Sequence, residues 1–150
     1  MTEWLDDAQQ SAWRRLITVV ELLPGALDSQ LRRDAELSHF DYFTLAMLSE
    51  APERTVRMTA LADLTHSTLP RLSHVVSRLE ARGYIDRAPC PGDRRATNAT
   101  LTAAGWQKVV DTAPGHVDAV RHLVFSRLDA SDVADLDRVM AKILGTLGGE

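Results

Sequence analysis

Residues 67–102 read STLPRLSHVVSRLEARGYIDRAPCPGDRRATNATLT, and the fold turns on them. At about 100° per residue, Leu69, Leu72, Val76 and Leu79 share one face of a helix. Ser67, Pro70, Arg71, His74, Ser77 and Arg78 take the other. The pattern predicts a helix over about 68–82 with Ser67 as its cap. Pro70 then stands in the first turn, where a backbone N–H has no intrahelical partner to lose. Gly83 supplies the left-handed residue that ends the helix.

The polar face holds hydroxyls, a histidine and two arginines, with Glu80 only at its side. Such a face suits an approach to phosphates and base edges, and equally the plain solvation that most charged helix faces have. Tyr84 to Ala88 then reads as a short strand. Pro89-Cys-Pro-Gly-Asp-Arg-Arg95 reads as a turn, kept out of helix by two prolines and a glycine. Thr97 to Leu101 reads as the return strand, and Thr102 as the cap of a new helix. A helix followed by a two-stranded ribbon tipped with arginine predicts a winged helix. Its tip is placed to reach a minor groove, where negative potential attracts arginine.

Three segments in this order carry a family resemblance: Leu79-Glu-Ala-Arg-Gly83, Asp93-Arg-Arg95 and Leu101-Thr-Ala-Ala-Gly105. The chain resembles the MarR family over nearly its whole length. The resemblance implies a mainly α fold with a small β-hairpin wing: a winged helix-turn-helix with N- and C-terminal dimerisation helices. It implies a homodimeric regulator of transcription that binds double-stranded DNA and is released by a small phenolic or amphipathic effector or an oxidant. Ser67, Thr68, Pro70, Arg71, His74, Arg78, Arg94 and Arg95 are then the DNA-binding candidates. Arg71 and His74 sit at the front as base readers, and Arg78 further back for a phosphate. In the family, the aspartate matching Asp93 orients the wing arginine matching Arg95. The effector pocket lies between the dimer helices and the DNA lobe. Trp13, Tyr42, Phe43, Met47 and Trp106 are the residues that could line it, although aromatics at such spacings are more often core.

Composition agrees. A chain of 150 residues is one domain's worth, and 45% hydrophobic with 25% charged residues is ordinary for a globular protein. The formal charge of −4 argues against a generic polyanion binder. Residues 66–98 nevertheless hold six arginines against three carboxylates, a net +3 that leaves −7 for the remainder. A basic segment on an acidic body fits a DNA-reading element. The single cysteine, Cys90, allows no intramolecular disulfide and makes a reducing cytoplasm the expected location. No signal peptide or membrane span is expected.

In chain order, Glu3 to about Leu23 predicts a helix, broken or kinked at Pro24-Gly25 and resumed over 26–33. Ser38-His-Phe-Asp41 is a capping box with Asp in place of Glu or Gln. It opens an apolar helix over 40–50. Thr55–Met58 is a minimal strand, and Thr59 caps a short helix over 60–64. The turn 65–66 lacks the glycine often found in helix-turn-helix. After Thr102 a long helix is expected to be interrupted at Pro114-Gly115, and Asp129 or Ser131 caps a last helix. The reading is one domain over 1–150: a winged lobe over 38–104 and dimerisation helices over 3–33 and 105–147. The terminal helices carry more apolar surface than such a lobe hides, which predicts a two-fold dimer.

Other readings are weaker. The five histidines show no metal-ligand spacing, so no metal or cofactor is expected. No nucleophile elbow, P-loop or Rossmann glycine pattern points to an enzyme. Cys90 reads as an inert turn thiol, because the family's peroxide sensors carry theirs near the N-terminus. The alternative is a winged-helix interaction module without DNA binding, which the arginine-rich wing opposes. The expectation is a sequence-specific repressor that binds a pseudo-palindromic operator as a homodimer.

Overall fold

The computed structural model describes residues 1–149. The elements run α1 (Asp7–Ala35), α2 (His39–Glu50), β1 (Thr55–Arg57), α3 (Met58–Leu64), α4 (Leu69–Ala81), β2 (Ile85–Cys90), β3 (Asp93–Leu101), α5 (Ala103–Val120) and α6 (Ala130–Leu147). A 3₁₀ turn at Pro52–Arg54 joins α2 to β1, and a π turn at Arg121–Phe125 follows α5. The chain divides into two compact units, the first ending at His116 and the second beginning at Val117. Among the described residues no helix is long and apolar enough to cross a membrane.

The core of the first unit is aliphatic. Leu31, Leu37, Leu45, Leu48, Leu61, Leu72, Val76, Leu79 and Ile85 are all within 1% of complete burial. They come from α1, the α1–α2 connection, α2, α3, α4 and β2, so the apolar face of α4 leans on one shared cluster. The sheet is antiparallel in the order β1-β3-β2. Val56 pairs with Ala99, and Ile85 with Leu101, which turns the apolar side of the wing root inward. The Ser38 capping box forms as expected: its hydroxyl accepts from the Asp41 N–H, and Asp41 accepts from the Ser38 N–H, both at 2.9 Å. Asp129, rather than Ser131, caps α6 through an equivalent box with Asp132.

Several boundaries differ from expectation. Pro24 does not break the first helix, and α1 runs through it for 29 residues. Leu27, Leu31 and Ala35 beyond the proline are buried and stay in helical phase with one another, which offsets the missing hydrogen bond. Pro114 likewise lies inside α5 rather than interrupting it. α3 starts at Met58, with Arg57 at the cap position and no side-chain cap bond, so Thr59 is not the cap. The turn before α4 has no glycine because His66 takes the left-handed conformation itself, at φ 51°. The wing is longer than expected: its strands reach Cys90 and restart at Asp93, so the turn shrinks to Pro91-Gly92. A register shift between Pro89 and Cys90 absorbs the irregularity. Pro89 is accommodated because β2 is an edge strand, where a missing N–H breaks no ladder.

α6 is amphipathic, yet none of its side chains is buried. Val133, Leu136, Val139, Leu144 and Leu147 are all exposed. Trp4, Leu5, Trp13, Val19, Val20 and Leu22 are similarly exposed on and before α1.

Candidate nucleic-acid interface

The cap of α4 is Thr68, not Ser67. Thr68 Oγ1 accepts from the Arg71 N–H at 3.3 Å, while the Ser67 hydroxyl lies 3.1 Å from Thr65 Oγ1 in the preceding turn. Pro70 falls in the first helical turn and costs no hydrogen bond. Leu72, Val75, Val76 and Leu79 are buried, and Arg71, His74, Ser77 and Arg78 are exposed. Leu69, expected inside, is 43% exposed because it precedes the point where the helix meets the core.

Each basic side chain then finds its own setting. The Arg71 guanidinium lies over the Phe40 ring, 4.3 Å from its centroid, and so is steered by a flat aromatic face without losing its charge. Arg78 donates to Asp41 Oδ1 at 3.0 Å, a partner that nothing in the sequence indicates. The Asp41 side chain is nearly buried, while Arg78 stays 53% exposed. One carboxylate therefore caps α2 and tethers α4. Arg82 donates to the Glu36 carbonyl at 2.8 Å. Arg87 is bound to Glu80 at 3.0 Å and to the Ser77 hydroxyl. That pairing holds the Glu80 carboxyl below its usual range and fastens β2 to α4.

At the wing, Arg94 and Arg95 are exposed. Asp93 Oδ1 accepts the backbone N–H of Arg95 at 3.0 Å. The bond shapes the main chain at the tip and does not grip the guanidinium. The wing root is fixed by the third motif. Thr102 Oγ1 donates to the Gly83 carbonyl at 2.6 Å and accepts the Gly105 N–H at 3.0 Å. A Cβ at Gly105 would overlap the Tyr84 carbonyl oxygen and come within 2.6 Å of Leu101 Cδ1, so only glycine fits. The motif residues Gly83, Thr102 and Gly105 are thus a joint between α4, the wing and α5.

The aromatic candidates for an effector pocket stand in different settings. Tyr42 is buried in the core, Trp13 is half exposed, and Trp106 lies under Arg54, 3.8 Å from ring centroid to guanidinium. Phe43 and Met47 are partly buried. A cleft of about 540 Å³ between α1, the start of α2 and α4 is lined by other residues, among them Arg32, His39, Phe40, Arg71, His74 and Arg78. Beside it, His39 and His116 lie 6.4 Å apart between ring centroids. Burial holds both imidazoles below their ordinary pKa, and the Nδ1 atom of each is buried without a partner among the described residues. Arg57 is a further basic residue at the wing that carries no signal in the sequence. It lies outside the arginine-rich window, and only the pairing of β1 with β3 brings it opposite Asn98 in the wing.

A capped, acid-free helix face beside an arginine-tipped hairpin, both on one aliphatic core, defines a winged helix-turn-helix of the kind that reads DNA. The profile of the MarR family matches residues 38–96. A crystal structure of Sco3205, a MarR family transcriptional regulator from Streptomyces coelicolor in complex with DNA, is 43% identical. The alignment covers 97% of this chain and 92% of that one, with a TM-score of 0.92. AbsC, a MarR family transcriptional regulator from the same organism, is 36% identical over 99% of this chain and 100% of its own, with a TM-score of 0.91. The uncharacterised HTH-type transcriptional regulator YdcH of Bacillus subtilis is 31% identical over 53% of this chain and 55% of its own. The chain spans 55–60% of the length of the curated relatives it matches. The chain belongs to the MarR family of winged helix-turn-helix transcriptional regulators.

Proposed function

We propose that the protein acts in the cytoplasm as a sequence-specific, effector-responsive repressor that binds a pseudo-palindromic operator as a homodimer. One observation carries the reading. The exposed face of α4 presents Arg71 and His74 with no carboxylate among them, beside a wing tip carrying Arg94 and Arg95 free of ion pairs among the described residues. The DNA complex of Sco3205, at 43% identity, supports it. The exposed apolar residues of α1 and α6 favour a second copy as their cover. Two reading helices related by a two-fold axis call for half-sites about one helical turn, ~10 bp, apart. The cleft lined by Asp28, Arg32, His39, Phe40, Arg71 and Arg78 suits a phenolic or amphipathic small molecule. Its occupant would touch Arg71, so effector and base would compete for one side chain.

The test is a mobility shift with duplex DNA from upstream of the protein's own gene. The wild type is expected to bind it in preference to unrelated DNA. Arg71→Ala is expected to cost roughly 1–3 kcal/mol at each base pair that it reads and to flatten preference there. Equal weakening on all sequences would reduce Arg71 to a phosphate contact. Absence of binding by the wild type would favour a protein-interaction module.

A further inference from the structure

We propose that Arg57 seats a backbone phosphate of the bound DNA, in the groove between the wing and the start of α4, as an anchor separate from base reading and from the reach of Arg95 into the minor groove. The proposal rests on the DNA-binding reading above and adds to it a residue and a phosphate site.

The groove encloses about 300 Å³ and draws an arginine from each strand of the sheet: Arg57 from β1, Arg87 from β2 and Arg95 from β3. The three differ in what already holds them. Arg87 is neutralised by Glu80 at 3.0 Å and also donates to Ser77. Among the described residues neither Arg57 nor Arg95 is ion-paired with a carboxylate, and both are exposed. Arg57 is steered instead by a thiol, its Nη2 donating to Cys90 Sγ at 3.4 Å. That bond steers the side chain without an ion pair; the Asp93 carboxylate favours its charge from further off, and its remaining N–H groups have no partner among the described residues. The hydroxyl-bearing residues Thr59, Ser73 and Thr97 line the same groove. The free N–H groups of the Arg57 guanidinium beside three hydroxyls are a donor set for a single anionic oxygen cluster, and such a groove offers an aromatic base no stacking surface. One wall is α4 and the other is β3, so a DNA strand entered by both helix and wing must cross this gap. Phosphate is the strand's charged component.

The experiment is fluorescence anisotropy of the full-length protein with two labelled duplexes of equal length, one from upstream of its own gene and one unrelated, across a range of salt concentrations. Arg57→Ala is expected to weaken binding to both duplexes alike, about tenfold at ~0.1 M salt for each phosphate left without its arginine. The slope of log affinity against log salt should become shallower by about 0.9 for each such phosphate. Arg57→Lys should restore most of the slope, because a point charge still meets the phosphate. Unfolding melts of both variants that match the wild type would show that the change is in binding. An unchanged slope for Arg57→Ala, or weakening confined to one duplex, would overturn the proposal. Should the wild type bind neither duplex, the DNA-binding reading itself falls. Should it bind while Arg57→Ala behaves identically, only the anchor falls.

Discussion

Helices α4 and α6 carry the same pattern and meet opposite fates. In α4 the apolar positions Leu72, Val76 and Leu79 are at most 1% exposed, and the surface that remains is basic. In α6, Val133, Leu136, Val139 and Leu144 repeat at helical spacing, yet they are 36–46% exposed. Periodicity states that a face needs cover; it does not state who provides it. For α4 the cover lies within the chain, in α2, α3 and the sheet. For α6 the described residues leave the face open, and a second copy is the cover we propose.

The largest expected effect separates these two kinds of cover. Leu72→Ala should destabilise the lobe by about 2–5 kcal/mol in denaturant titration, independent of protein concentration. Leu136→Asp paired with Val139→Asp should instead shift sedimentation from dimer to monomer at micromolar concentration and make any destabilisation depend on concentration. A stable wild-type monomer of 16.6 kDa in the same run would break the comparison.

A smaller effect tests the exposed polar surface of the lobe. Arg95→Ala should lower DNA affinity and weaken preference for A·T-rich flanks. Asp93→Ala should do part of the same damage even though it removes a negative charge, because its bond to the Arg95 N–H shapes the tip. Simple electrostatics predicts tighter binding by Asp93→Ala, so affinity at fixed salt decides between the two accounts.

The smallest effect is in pH. His39 and His116 are both held below the ordinary histidine pKa of 6.5 by burial. The unfolded chain therefore binds protons that the fold excludes, and stability present above pH 6.5 is lost as the pH falls through that value. Asp28, which accepts the backbone N–H of His39 at 2.8 Å, opposes the shift of the His39 imidazole through its charge. Arg32 is bound to Asp28, Asp34 lies near Gly115, and the Tyr42 ring packs at a tilt against His116, 4.7 Å between centroids. Thermal midpoints between about pH 8 and 5.5 should decline in the wild type and flatten in His39→Gln with His116→Gln. A decline of equal steepness in the double variant would place the titration elsewhere.

The reading surface is legible because one helix shows both of its faces in a single stretch of sequence. The phase of Leu72, Val76 and Leu79 locates the core, and Arg71 and His74 follow by subtraction. The cap is less legible: Ser67 and Thr68 are adjacent hydroxyls with equal chemistry, and only the three-dimensional turn selects Thr68. Pro89 and Pro91 look alike in sequence, but an edge strand admits the first and leaves the turn to the second. Pro24 announces a local cost, which burial of Leu27, Leu31 and Ala35 overrides, and Pro114 is likewise carried inside α5. Arg57 is invisible because a three-residue strand, 38 positions before Arg95 in the chain, brings it to the groove. Arg78 gives no sign of its tie to Asp41, which depends on how two distant helices cross. The aromatic candidates differ in exposure because helical spacing alone does not distinguish core, surface and cavity.

The joint at Gly83, Thr102 and Gly105 makes the wing a modular part. Its root is pinned by the Glu80–Arg87 pair, by the pairing of Ile85 with Leu101 and by the close approach of Gly105 to Tyr84. Beyond Ala88 the hairpin is exposed apart from half-buried Cys90 and Ala96, and it turns on Gly92 at φ 82°. Insertions or deletions in matched pairs around Pro91-Gly92 would change how far the arginines extend while leaving the lobe's aliphatic cluster untouched. Reach along the flanking DNA is therefore a dial that mutation can turn without spending stability, whereas the joint at its base has no such freedom.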